Sequence, residues 1–156
     1  MGLKVVFLDV DGVLNCTGTV DKCGAYIGVS DEKVKLLKKI VDATQAVLVL
    51  SSTWRLGYNK DNHPLTKHSE YLNEKLAKQE LSIYDVTKQL DTRPREILDW
   101  LEGEDVENFV ILDDEDFLWD KFHLDDYWVK TEFYDDMGGL NESKVAEAIE
   151  ILNRKE

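Results

Sequence analysis

Leu3-Lys4-Val5-Val6-Phe7-Leu8-Asp9-Val10-Asp11-Gly12-Val13-Leu14-Asn15 is the stretch that decides the fold. Residues 3–8 are rich in Val and Phe, which predicts a short strand covered on both faces. Asp9 then stands at the carboxyl tip of that strand, and Asp11, two residues on, can face the same side. Two carboxylates held so close repel each other unless a cation shares them, so the pair is a natural hard-metal site, best suited to magnesium. Gly12 lets the backbone turn sharply, and the amides around it can point at a bound phosphate.

Outward from this stretch, apolar runs of strand length alternate with helical patterns, as in a parallel sheet covered on both faces. A helix is expected over 30–43, with Ser30 as N-cap and Val34, Leu37, Ile40 and Val41 as its apolar stripe. A buried strand follows over 46–50, then a polar loop over 56–69 and a short helix over 71–77. The pattern next predicts a helix over 94–102, opened by Pro94, and strands over 109–112 and 127–130. A helix over 143–152 closes the chain. Thr131 and the Gly138-Gly139 turn read as structural, as a helix cap and a tight turn. The first three strands end in polar clusters: Asp9 and Asp11; Ser51, Ser52 and Thr53; Asp113 and Asp114. Strand tips of an open parallel sheet converge on one crevice, so these clusters are expected to meet.

Composition bounds the alternatives. The 156 residues, 43% hydrophobic and with 2 Pro and 9 Gly, suit one globular domain spanning 1–156. The net charge of -13 weighs against a general DNA or RNA coat. Cys16 and Cys23 with three scattered histidines make no zinc spacing, and reduced, non-catalytic thiols are expected. The apolar run after Met1 is too short for a signal peptide or a membrane span, which gives a cytoplasmic expectation. The DxDG turn is not a calcium loop of the EF-hand kind, because position twelve of such a loop falls on Val20.

Chemically, a carboxylate can accept a phosphoryl group and pass it to water while a second acid protonates the leaving oxygen and then activates that water. The metal, a hydroxyl, backbone amides and a cationic side chain supply charge neutralisation.

In its ordered elements the chain resembles the haloacid dehalogenase-like (HAD-like) phosphatases. Asp9-x-Asp11 matches their first motif, Ser51 after Val47-Leu48-Val49-Leu50 the second, Arg93-Pro94 the position of a usual Lys-Pro, and Asp113-Asp114 the acidic fourth motif. DVDGVLN, SSTWR, RPREI, ILDD and the late GGLN are similar, more narrowly, to capless HAD-like domains of multifunctional RNA-repair proteins and their stand-alone relatives. The resemblance implies a three-layer, Rossmann-like α/β fold with a parallel central sheet. It implies a magnesium-dependent phosphomonoester hydrolase working through an aspartyl-phosphate. Asp9 would be the nucleophile, Asp11 the general acid and base, Ser51 the phosphate-binding hydroxyl and Arg93 the cation. Magnesium would be held by the Asp9 carboxylate, Asp11 through its backbone, and Asp114, with Asp113 acting through the metal's waters.

Two choices are open within this pattern. Arg93 is preferred to Arg95 because it precedes Pro94, and Ser51 to Ser52 because it is first beyond the strand. Gly12, Ser52, Arg55 and Arg95 complete the candidate phosphate and substrate contacts, and Trp54 and Arg55 could flank substrate or simply pack. The gaps where relatives insert a cap, 16–29 and 57–69, fall far below the ~50 residues of a small domain. The site should therefore be open, unless a second subunit of a homo-oligomer closes it. A phosphorylated nucleic-acid end, a small nucleotide or sugar phosphate, and a catalytically idle phosphate- or partner-binding role are the competing readings.

Overall fold

The computed structural model describes residues 2–155. Its centre is β1 (Leu3–Leu8), which pairs in parallel with β4 (Val47–Leu50) on one side and β6 (Val106–Asp113) on the other. β5 (Ile83–Val86) extends the sheet beyond β4, and β7 (Trp128–Lys130) beyond β6, giving the order β5-β4-β1-β6-β7, parallel throughout. A small antiparallel hairpin, β2 (Lys22–Cys23) and β3 (Tyr26–Ile27), stands apart from this sheet.

Alternation along β1 builds the three layers. Val6 and Leu8 join Val34, Leu37 and Ile40 of α1 (Asp31–Thr44), Leu72 and Leu76 of α2 (Lys67–Ala77), and Val145 and Ala148 of α4 (Glu142–Leu152). Val5 and Phe7 turn the other way, onto Ile97 and Trp100 of α3 (Arg93–Glu102) and onto Trp119 and Leu124. Every one of these side chains is buried, and a strand with both faces covered reads as a continuous apolar run. The expected three-layer α/β fold is the one observed.

Local chemistry sets most boundaries. Ser30 caps α1 by accepting from the Lys33 N–H at 3.4 Å, and Asn141 caps α4 by accepting from the Lys144 N–H at 2.9 Å. At the other end of α1, Gln45 adopts a left-handed conformation, φ 62°, and its N–H returns to the Val41 carbonyl.

Three expectations are corrected. The polar segment after Leu56 is not loop through Ser69, because α2 starts at Lys67 on a reciprocal cap between Thr66 and Ser69. Thr131 caps no helix; it follows β7, and its N–H donates to the Asp113 carbonyl at 3.2 Å. The expected strands did not include β5, an edge strand whose Ile-Tyr-Asp-Val is too polar to stand out, nor the two-residue strands of the hairpin. Cys16 and Cys23 are free thiols, and no helix among the described residues is long and apolar enough to cross a membrane.

Candidate active site

β1 lies where the strand order turns, with β4 and β6 on opposite sides, so the tips of all three open on one crevice. The join is tight: the Asp9 N–H donates to the Leu112 carbonyl at 3.1 Å, and the Ser51 N–H to the Leu8 carbonyl at 3.0 Å. Asp9, Ser51 and Asp113 thereby converge, each buried.

Carboxylate oxygens of Asp9, Asp113 and Asp114 lie within 4.8 Å of one another. Arg93, at the first position of α3, reaches into this group. Its Nη1 donates to Asp113 Oδ2 at 2.9 Å and lies 3.5 Å from Asp9 Oδ1, while Phe117 covers the guanidinium with its ring centroid 4.7 Å away. Burial and then the Asp113 charge push the Asp9 carboxyl well above the ordinary carboxylate range, with Arg93 opposing them. Burial also pushes Asp113 up, to about 6, against the pull of Arg93 and of the Glu115 N–H. Burial works against the charge of Arg93 too, but Asp113 and Asp9 outweigh it and hold the guanidinium above its usual value.

Three crowded carboxylates with one guanidinium leave the cluster short of positive charge, and its donors are all hard oxygens. That donor set fits magnesium. Gly12 makes the crowding achievable: its φ is 92°, and a Cβ there would collide with the Asp114 side chain.

Asp11 stands outside this cluster. Its Oδ1 accepts from Asn15 Nδ2 at 2.9 Å and its Oδ2 from Trp54 Nε1 at 3.0 Å. Asn15 is fully buried, takes the Gly12 N–H on its own Oδ1 at 2.9 Å and donates to the Gly28 carbonyl at 2.8 Å. These two residues orient Asp11, and neither is singled out for that task by the sequence. The Asn15 of DVDGVLN is the one available signal, being a buried amide that requires partners.

The members of the two open pairs are placed differently. The Ser51 hydroxyl is buried and unpartnered among the described residues, whereas Ser52 accepts from the Trp54 N–H at 3.2 Å and caps the 3₁₀ turn Thr53–Gly57. Arg95 is an exposed side chain on α3, 3.4 Å from Asp91, whereas the Arg93 guanidinium reaches Asp113.

Arg55 is held inside the fold. It is 7% exposed and donates to the Ser52 carbonyl at 2.9 Å and to Glu96 Oε2 at 2.8 Å. Burial lowers its affinity for the proton, with Glu96 opposing. The Gly12 N–H donates to Asn15 Oδ1 at 2.9 Å. Ser52, Arg55 and Gly12 thus each hold a protein partner, and Arg95 is paired with Asp91 at the surface.

A parallel α/β sheet carrying an acidic cluster and a buried hydroxyl at adjacent strand tips, with a guanidinium reaching in from the start of a helix, defines the HAD-like class. The chain belongs to the family described as "HAD domain in Swiss Army Knife RNA repair proteins", whose model matches residues 5–145. No curated protein matches it.

Proposed function

We propose that the protein is a magnesium-dependent phosphomonoester hydrolase that works through an aspartyl-phosphate on Asp9. The observation that carries this reading is the convergence of Asp9, Asp113 and Asp114 within 4.8 Å beside Arg93, with Ser51, whose buried hydroxyl has no partner among the described residues, at the neighbouring strand tip. Such a pocket is built to hold a dianion and a divalent cation together.

An Asp9 carboxylate oxygen forms the new bond to phosphorus as the ester P–O bond breaks, and Asp11 gives its proton to the departing oxygen. Asp11 then takes a proton from water. The resulting hydroxide attacks phosphorus, the Asp9–phosphorus bond breaks, and inorganic phosphate leaves with Asp9 restored. Ser51 and Arg93 bind the phosphoryl oxygens. Asn15 and Trp54 orient Asp11 for both proton transfers. Asp9, Asp114 and the Asp11 backbone would hold magnesium, with Asp113 supporting it; bound there, the ion offsets charge on the transferring group.

The family's description concerns RNA repair proteins, which favours a terminal phosphate of a nucleic acid or nucleotide as the ester. The net charge of -13 favours a smaller phosphate ester over a long polyanion. Phosphate release from a panel of monoesters, with magnesium and with chelator, tests the reaction. Release in magnesium that disappears in Asp9→Asn is expected, and equal release by that variant would overturn the covalent route. Beryllium fluoride should add density at Asp9 and at no other side chain.

A further inference from the structure

Beside Asp11 lies a groove of about 650 Å³ whose walls are Tyr26, Ile27, Trp54, His68 and Phe133. Four segments distant in sequence contribute to it: β3, the 3₁₀ turn, the start of α2 and the loop after β7. His68 bridges the aromatic wall, its ring centroid 5.6 Å from that of Trp54 and 5.6 Å from that of Tyr26. Tyr26 is 68% exposed, a large ring left uncovered at the mouth of the groove. The hairpin that carries it is fastened from both sides, by Asn15 Nδ2 on the Gly28 carbonyl and by the Val29 N–H on the Tyr71 hydroxyl at 3.0 Å. Phosphoryl chemistry at Asp9 uses none of these rings except the Trp54 indole N–H.

We infer that this groove is the leaving-group subsite and that its occupant is the base of a single nucleoside, the phosphate of the same nucleotide lying at Asp9. The inference rests on the phosphohydrolase reading above and narrows its substrate. Asp11 protonates the departing oxygen, and the Asp11 carboxylate accepts from the Trp54 indole at 3.0 Å. The group attached to that oxygen is thereby delivered onto the Trp54 ring. Aromatic faces reward a flat, uncharged, polarisable partner, as a stacked base is.

Charge argues against a longer strand. No Lys or Arg among the described residues lines the groove; of the cations that adjoin its walls in sequence, Arg55 is committed to Glu96, and Lys67, beside His68, is a single exposed side chain. A polynucleotide needs a basic track for its phosphates, which this face of a chain of charge -13 does not supply.

The test compares adenosine 3′- and 5′-monophosphates with ribose 5-phosphate, an ester of similar kind without a base, in wild type and in Tyr26→Ala and Phe133→Ala. Thermal melts accompany each variant. Either substitution should lower kcat/KM for the nucleotides about tenfold, within the range of one base stacking on an aromatic side chain, and leave ribose 5-phosphate within about twofold. Equal losses on both kinds of ester, or no loss on either, would overturn the subsite. Faster, steeply salt-dependent turnover of a 20-mer carrying a terminal phosphate would overturn the single-nucleoside occupant. If no ester is hydrolysed in magnesium, the phosphohydrolase reading fails by itself. The groove is then judged by tryptophan fluorescence: base-dependent binding of adenosine monophosphate that Tyr26→Ala abolishes supports it, and equal binding of ribose 5-phosphate overturns it.

Discussion

At the scale of single residues, the candidate site separates groups that hold the fold from groups whose strain serves chemistry. Asp9 is buried against two other acids, and its carboxyl is pushed well above the ordinary range by burial first. Asp9→Asn removes that buried charge while keeping the shape. It is expected to raise the melting temperature of the metal-free protein and to lower turnover by at least about a thousandfold, as loss of a covalent nucleophile does. Ser51→Ala should behave alike in kind: its hydroxyl has no partner among the described residues, so stability should hold within about 0.5 kcal/mol, while kcat/KM falls about tenfold or more. A destabilised Ser51→Ala protein with normal kinetics would make that hydroxyl a structural one. Asp9, Ser51, Arg93 and the Asp113-Asp114 pair were all legible in the sequence, because each sits at a strand tip or a helix start that local pattern marks. Trp54 was not, because its bond to Asp11 joins side chains 43 residues apart, and Asn15, four residues from Asp11, was visible only as a polar residue of DVDGVLN whose buried bonds the sequence does not show.

At the scale of elements, the 3₁₀ turn Thr53–Gly57 joins the fold to the site. Arg55 ties it to α3 through Glu96, and Glu96 Oε2 also receives the Leu90 N–H at 2.9 Å, fixing the approach to α3 and so to Arg93. Breaking a buried pair from one side leaves the other charge unpaired. Arg55→Ala should therefore cost about 3 kcal/mol or more in urea unfolding, whereas Arg95→Ala, on the exposed face, should stay within about 0.5 kcal/mol. From the same turn, Trp54 reaches Asp11. Trp54→Phe keeps an aromatic ring in the groove but removes the indole donor, and should lower kcat about tenfold, the scale of losing a residue that orients a reacting group. An unchanged kcat would reduce Trp54 to a groove wall.

At the scale of the whole molecule, the buried acids couple folding to pH and to metal. Asp113 rises from 3.8 to about 6 in the folded chain, so without metal the folded state keeps its proton longer than the unfolded state does. That contribution to stability is fully present below about pH 4 and is lost as pH rises through about 6. Asp9 shifts in the same direction, and mutual repulsion within a chain of charge -13 adds to it. Chelator-treated protein should accordingly melt lower at about pH 7.5 than at about pH 5, and magnesium, binding the folded state, should raise the melting point more at the higher pH. A metal-free melting point that climbs across this interval would mean that Arg93 outweighs burial at the cluster.

What the sequence determined by itself is the frame. Continuous apolar runs placed four of the sheet's five strands, the helical stripes and Ser30 placed α1, and the polar residues after each run marked where the crevice would open. These features are local, and local periodicity reads them directly. The edge strand β5 and the small hairpin escaped, being too short and too polar for any period to show. Only the tertiary structure decided the different surroundings of each neighbouring pair. One step along an extended chain turns a side chain to the opposite direction, and two residues along a helix turn it by about 200°, so Ser52 caps the 3₁₀ turn and Arg95 pairs with Asp91 at the surface, unlike Ser51 and Arg93 close by in sequence. The groove of Tyr26, Trp54, His68 and Phe133 was likewise beyond sequence reading, since it exists only where four separate segments pack around Asp11.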